Sequence, residues 1–202
     1  MADPFRGGII AELKRDQVHS DDIARTLEYL KMELGRANIP FGLIGGLALR
    51  HHGYLRFTED VDILTTAEGL QWIHDNMVGR GLLPRGPGVR KKLRQTQYKV
   101  NIDILTAGEH AGANGSPTCF PSPESDAFVE RDGILVLTLE KLIELKLTSG
   151  VWGGRAKDLG DVQELIRANA LSEDFASKLP PIHRAKFLEL LAALGKDDPT
   201  IG

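Results

Sequence analysis

The chain carries one cysteine, Cys119, in 202 residues. A single thiol excludes an internal disulfide and a zinc centre built on cysteine pairs. Aromatic residues are scarce at 6%, and they form no row on which successive bases could stack, as single-strand binders require. No apolar run approaches the roughly 20 residues that span a bilayer, so no membrane partner is expected. The opening "MADPFRGGII" lacks the apolar core of a secretion signal, and a cytoplasmic location is the expectation. Neither sign of charge dominates: 25 Lys and Arg face 28 Asp and Glu, a net charge of −3. Any attraction to a polyanion must therefore come from a local patch. The glycine-rich "GVWGGRAKD" does not end in GK[ST], which argues against a P-loop kinase or ATPase.

What is present suffices for one domain with a helical appendage: 42% apolar and 26% charged residues are ordinary for a globular protein. The order of elements predicts an α/β (α+β) fold, a small mixed β-sheet flanked by helices, followed by an α-helical C-terminal lobe. The boundary is expected near Thr138, giving a core of 1–138 and a lobe of 139–202. Helical spacing of Ile23, Leu27, Leu30 and Leu34 predicts a first helix over 21–38. "FGLI" reads as a short buried strand, "GGLALRHHG" as a helix, and "EDVDILT" as a second strand. A helix is expected over 67–81. "YKVNIDIL" alternates apolar with polar residues and predicts a further strand, and "GILVLT" another. Between these two lies a loop over 106–126, rich in Gly, Pro and Ser, and too long for a passive turn; a mobile lid or a disordered segment is expected there. From Leu139 onward the pattern is helical.

In a strand alternate side chains share a face, so Asp60 and Asp62 are expected to point together while Val61 and Ile63 enter the core. Asp103, in the later alternating strand, would join them if the two strands are neighbours. Two carboxylates about 5 Å apart at an effective dielectric near 20 repel by about 3 kcal/mol. Protonation or a bound divalent cation must offset this, and oxygen-only ligands favour magnesium or manganese over zinc. Asp60 and Asp62 could alternatively cap a strand end in solvent. Gly45 and Gly46 stand between a strand and a helix, where bare backbone N–H groups suit phosphate, or simply permit a tight turn.

The combination "IGG", thirteen intervening residues, "DVDI" and a downstream "NIDI" resembles the nucleotidyltransferase superfamily, the polymerase-beta-like fold. It is similar to small bacterial members, including the abortive-infection toxin group, in Gly45 to Ile63 and in the "RAKDLGD" stretch from Arg155 to Asp161. The resemblance covers roughly Phe41 to Ile166. It implies two-metal transfer of an NMP group from an NTP, such as ATP, to a hydroxyl acceptor. Asp60, Asp62 and Asp103 would be the catalytic acids and the magnesium ligands, with manganese as the substitute, and Asp103 would also accept the hydroxyl proton. Gly45 and Gly46 would cradle the β- and γ-phosphates. The acceptor stays open among a small molecule such as an aminoglycoside, a tRNA end and a protein hydroxyl. The toxin-group likeness implies an antitoxin partner. Two alternatives stand beside this: a non-catalytic nucleotide-binding domain of the same fold, and a two-metal phosphodiesterase or nuclease.

Supporting residues have two readings each. Arg56 could contact a phosphate or pair with Asp60 or Glu59. Lys146 and Lys157 could sit near the triphosphate, with Asp158 orienting a lysine or the acceptor. Lys157 and Asp161 could equally form a surface pair. Arg155 is evenly poised. His51 and His52, adjacent on a helix, diverge by about 100° and do not suit one metal ion; packing is expected, with His52 a further substrate contact. Residues 85–99 carry six basic residues and no acid, a solvated face or a grip on a polyanion such as RNA.

Overall fold

The computed structural model describes residues 9–15, 19–113 and 115–196. Residues 1–8, read above for a secretion signal, and 197–202, assigned to the helical lobe, lie outside the described part. The chain starts with helices α1 (Ile9–Arg15) and α2 (His19–Arg36), then strand β1 (Phe41–Leu43), helix α3 (Gly45–His51), strand β2 (Asp60–Thr65) and helix α4 (Ala67–Asn76). Strands β3 (Leu82–Pro84), β4 (Lys92–Gln95), β5 (Asn101–Thr106), β6 (Phe128–Arg131) and β7 (Ile134–Leu137) follow. Helices α5 (Leu139–Trp152), α6 (Ala156–Ala168) and α7 (Pro181–Lys196), with a 3-10 segment at Glu173–Lys178, complete the chain. The result is a mixed α/β fold, as the sequence predicts.

The sheet has seven strands in the order β3-β4-β5-β2-β1-β7-β6. Parallel pairing joins β2 to β5 and β1 to β7, and the remaining neighbours are antiparallel. Val61, Ile63, Leu93, Ile102 and Ile104 are buried on the face opposite the acids, and α2 packs against β2 through its apolar stripe of Leu27, Leu30 and Leu34. That stripe is what 3.6-residue spacing produces when one helical face meets a sheet. α5, α6 and α7 pack on one another, and Phe187 of α7 is fully buried among them.

Five elements depart from the expected pattern: α1, α4, β3, β4 and β6. α1 precedes the first predicted helix. The helix expected over 67–81 stops at Asn76, because Gly79 and Gly81 take positive φ and turn the chain back to start β3. β6 pairs with β7 across Asp132 and Gly133, both at positive φ (52° and 72°), the requirement of a tight type I′ hairpin. The described part of the 106–126 segment is a folded wall, neither lid nor disordered: His110 bridges Cys119, and Ala111, Ser116 and Thr118 are buried.

Candidate active site

The short loop from β1 into α3 sets the geometry. Gly45 has φ +60°, and a Cβ there would lie 2.0 Å from Asp62 Oδ2. Only glycine tolerates both demands. A Cβ on Gly46 would meet Thr58 Oγ1 at 2.7 Å. With neither side chain in the way, the Gly46 N–H donates to Asp62 Oδ2 at 3.3 Å. The glycine pair therefore fits itself around Asp62, and its first amide contact is with that carboxylate.

Register places the acids. Asp62 is the Cα partner of Asp103, and Asp60 of Asn101. All four side chains rise from the same face of β2 and β5 and are partly buried. Asn101 Nδ2 donates to Asp60 Oδ1 at 3.0 Å. Asp103 meets Arg85 at 3.4 Å and Lys92 at 3.8 Å. Burial pushes the Asp62 carboxyl above its ordinary range; the Gly46 amide pulls it back, while Asp103 and Asp60 push further. Among the described residues no three His, Cys, Asp or Glu side chains stand together as a ready metal-ligand group. Asp60 and Asp103 are instead engaged by Asn101 and by Arg85 and Lys92.

A cleft opens beside Asp62, lined in part by Gly45, Gly46, Arg56, Lys146, Lys157 and Asp158. Two of its cations, Lys146 and Arg56, are held by a buried network. Lys146 Nζ donates to Asp158 Oδ1 at 2.5 Å and to Asp161 Oδ2 at 2.7 Å. Arg56 donates to both Asp161 oxygens, at 3.2 and 3.0 Å. Ser149 and Arg155 take the other Asp158 oxygen at 2.7 and 3.2 Å. Burial pushes the Asp158 carboxyl up, but Lys146, Ser149 and Arg155 outweigh it and hold it below the usual range.

Several expectations change here. Asp161 is buried, 3% exposed at its side chain, and pairs with Lys146 and Arg56; it forms no surface pair with Lys157. Arg56 pairs with Asp161 rather than with Asp60 or Glu59. Lys157 is exposed on the cleft wall. His52 keeps the packing role expected of it: its ring donates to the Leu137 carbonyl, Nε2 to O 2.7 Å. Sequence reasoning missed Asn101, Ser149 and the placing of Arg85 and Lys92 on Asp103. For Asn101 a signal existed: it alternates with Asp103 and so shares its face.

No family model and no curated protein matches the chain. Solved structures do. The crystal structure of an antigenic nucleotidyltransferase-like protein from Paracoccidioides brasiliensis is similar over 90% of this chain and 91% of that one, at 16% identity and TM-score 0.51. The solution structure of the antibiotic-resistance factor ANT(2'')-Ia is similar over 87% of this chain and 97% of that one, at 16% identity and TM-score 0.50. At such low identity the likeness is one of backbone architecture: the chain has the nucleotidyltransferase fold.

Proposed function

We propose that the protein is a nucleotidyltransferase, moving an NMP group from an NTP to a hydroxyl acceptor. The observation that carries this is the placing of Asp60, Asp62 and Asp103 on one face of two paired strands, against a glycine turn shaped around Asp62 and a cleft that carries Lys146, Lys157 and Arg56. The donor chemistry fits magnesium, with manganese as substitute: all three ligands are carboxylates, and Asp62 is pushed up by burial and by its acidic neighbours, a deficit that a cation removes. Asp60, Asp62 and Asp103 would hold the ion, Asp103 exchanging its contacts with Arg85 and Lys92. When bound, such an ion supplies positive charge where the phosphates react.

The chain's own groups do the rest. Lys146 and Arg56, held by Asp158 and Asp161, present fixed positive charge to the triphosphate, and exposed Lys157 adds a third cation at the cleft wall. Asp158 acts through Lys146 as a positioning residue. The acceptor oxygen bonds to the α-phosphorus as the bond from that phosphorus to its bridging oxygen breaks. Pyrophosphate leaves with the electron pair, and the hydroxyl proton passes to the Asp103 carboxylate. Preorganised charge of this kind is the main source of rate in phosphoryl-type transfers.

Incubating the protein with α-labelled NTPs, magnesium and cell extract tests the reading: label should move to an acceptor with release of pyrophosphate. Asp60→Ala and Asp62→Ala should each lower transfer by at least a thousandfold and leave the urea-unfolding midpoint near that of the wild type. Undiminished labelling in either variant sinks the assignment. One observation favours a second reading, a nucleotide-binding domain without transfer: Asp103 is taken by two cations and, among the described residues, no ready ligand trio stands. Magnesium-dependent NTP binding with no labelled product from any acceptor would establish it.

A further inference from the structure

The acid-bearing face of the sheet does not end at β5. Pairing of β4 with β5 sets Lys92 opposite Asp103 and Arg94 opposite Asn101. Pairing of β3 with β4 sets Leu83 opposite Arg94, and the Arg85 N–H donates to the Lys92 carbonyl. Two rows therefore cross the sheet. One runs Asp62, Asp103, Lys92, Arg85; the other runs Asp60, Asn101, Arg94, Leu83. In each, acid passes into base within two strands. The basic end is exposed: Lys92 is 59% and Arg85 39% open at the side chain. A groove lined by Leu83, Arg85, Arg94, Gln95, Thr96 and Asn101 runs along it.

The acids thus stand between two hollows. Asp62 faces the cleft that holds Lys146, and Asp60, through Asn101, borders the groove that holds Arg94. An in-line displacement sends the leaving pyrophosphate and the attacking hydroxyl to opposite sides of the α-phosphorus. With the triphosphate on the α3 and α5 side, the acceptor approaches from β4 and β3. A polycationic acceptor would meet Arg85, Lys92 and Arg94 there, a like-charge juxtaposition that disfavours it. We propose, on top of the transferase reading, that the β3–β4 groove binds the acceptor and that this acceptor carries phosphate beside its hydroxyl. Guanidinium groups suit phosphate through paired, planar N–H donors. A nucleic-acid strand end and a phosphorylated sugar share this chemistry.

The full chain is titrated into a 5′-fluorescein RNA 12-mer with a free 3′-hydroxyl, followed by anisotropy, with ribose 5-phosphate and an aminoglycoside as competitors. Binding should weaken with salt, with a log–log slope near −0.7 for each phosphate neutralised on a single strand. Arg85→Glu/Arg94→Glu should weaken it at least tenfold, and Arg94→Glu alone should weaken it in the same direction and leave NTP binding unchanged. The milder Arg85→Gln/Arg94→Gln pair guards against misfolding and should give a smaller loss in the same direction. The charge-matched control Arg36→Glu/Arg167→Glu, on surface helices away from the groove, should change binding less than twofold. Displacement of the RNA by ribose 5-phosphate assigns a phosphorylated small acceptor, and its failure to displace assigns a strand. Binding of neither anionic probe, or equal binding by the charge-reversed variant, overturns the proposal. The readout needs no turnover, so the two ideas fail separately. Absence of label transfer to every acceptor defeats the transferase reading alone, whereas labelling of an aminoglycoside defeats the groove assignment alone.

Discussion

Gly45 and Asp62 fit each other so closely that position 45 has no room for a side chain while Asp62 keeps its place. The backbone at Gly45 is left-handed, which costs a residue with a Cβ about 1–2 kcal/mol, and the added methyl would overlap the Asp62 carboxylate. Gly45→Ala is therefore expected to lower stability by more than that backbone cost and to displace Asp62. In a Gly45→Ala/Asp62→Ala cycle, the second substitution should return the share due to the carboxylate and leave the backbone share together with the 2.9 Å approach to the position-62 Cβ. Urea-unfolding midpoints of the four proteins measure the coupling, and strict additivity would show that the two positions do not touch. The pair also shows how legible a single residue is. That "GG" marks a turn can be read from sequence, but its amide binding Asp62 cannot, because the partner lies sixteen residues away on another strand.

At the scale of elements, the network of Lys146, Asp158, Asp161 and Arg56 joins α5, α6 and the segment leading into β2. Two nearly dry carboxylates share Lys146, with Arg56 on Asp161 and Arg155 on Asp158, and removing one member strands a buried charge. Such a loss typically costs about 3–5 kcal/mol. Asp161→Ala is expected to lower the unfolding free energy by about that amount, against well under 1 kcal/mol for an exposed pair such as Lys186 with Glu189. A denaturant comparison of Asp161→Ala with Glu189→Ala checks it. The helical spacing of Asp158 and Asp161 shows that they share a face. That this face turns inward, toward Lys146, depends on how α6 lies against α5, and no local pattern encodes that.

Across the whole molecule, a buried polar knot ties the 107–120 wall to the helical lobe. Thr148 Oγ1 donates to Thr118 Oγ1 at 3.0 Å, and His183 Nε2 lies 3.2 Å from both hydroxyls. Trp152 stacks edge-on against the His183 ring at 5.6 Å. Burial pushes His183 below its ordinary value, with Lys141 adding to this and Glu144 opposing it. Burial lowers His52 as well, against the Leu137 carbonyl and Glu140, with Arg131 assisting. Both histidines are thus more readily protonated in the unfolded chain, so stability rises with pH through the window below about 6.5. Their contribution is complete above that value and is lost as pH falls toward their folded values. Asp158 adds a second, more acidic loss, since its depressed carboxyl stabilises the fold until pH drops below the ordinary aspartate range. The urea midpoint should fall between pH 7.5 and pH 5.0, and His183→Gln should flatten part of that fall. A midpoint independent of pH over this range would contradict the burial of both rings.

The sequence by itself determined the alternation that puts Asp60 with Asp62 and Asn101 with Asp103, the glycine turn, and the start of a helix after Thr138, which caps α5. Each of these is a local matter of backbone period and side-chain volume. Only the tertiary structure decided that β2 lies parallel to β5 in the register that faces Asp62 with Asp103. It alone set Lys92 and Arg94 beside them and buried Asp161 against Arg56. Those outcomes come from packing between segments far apart along the chain, where a shift of one residue in register would reverse every face.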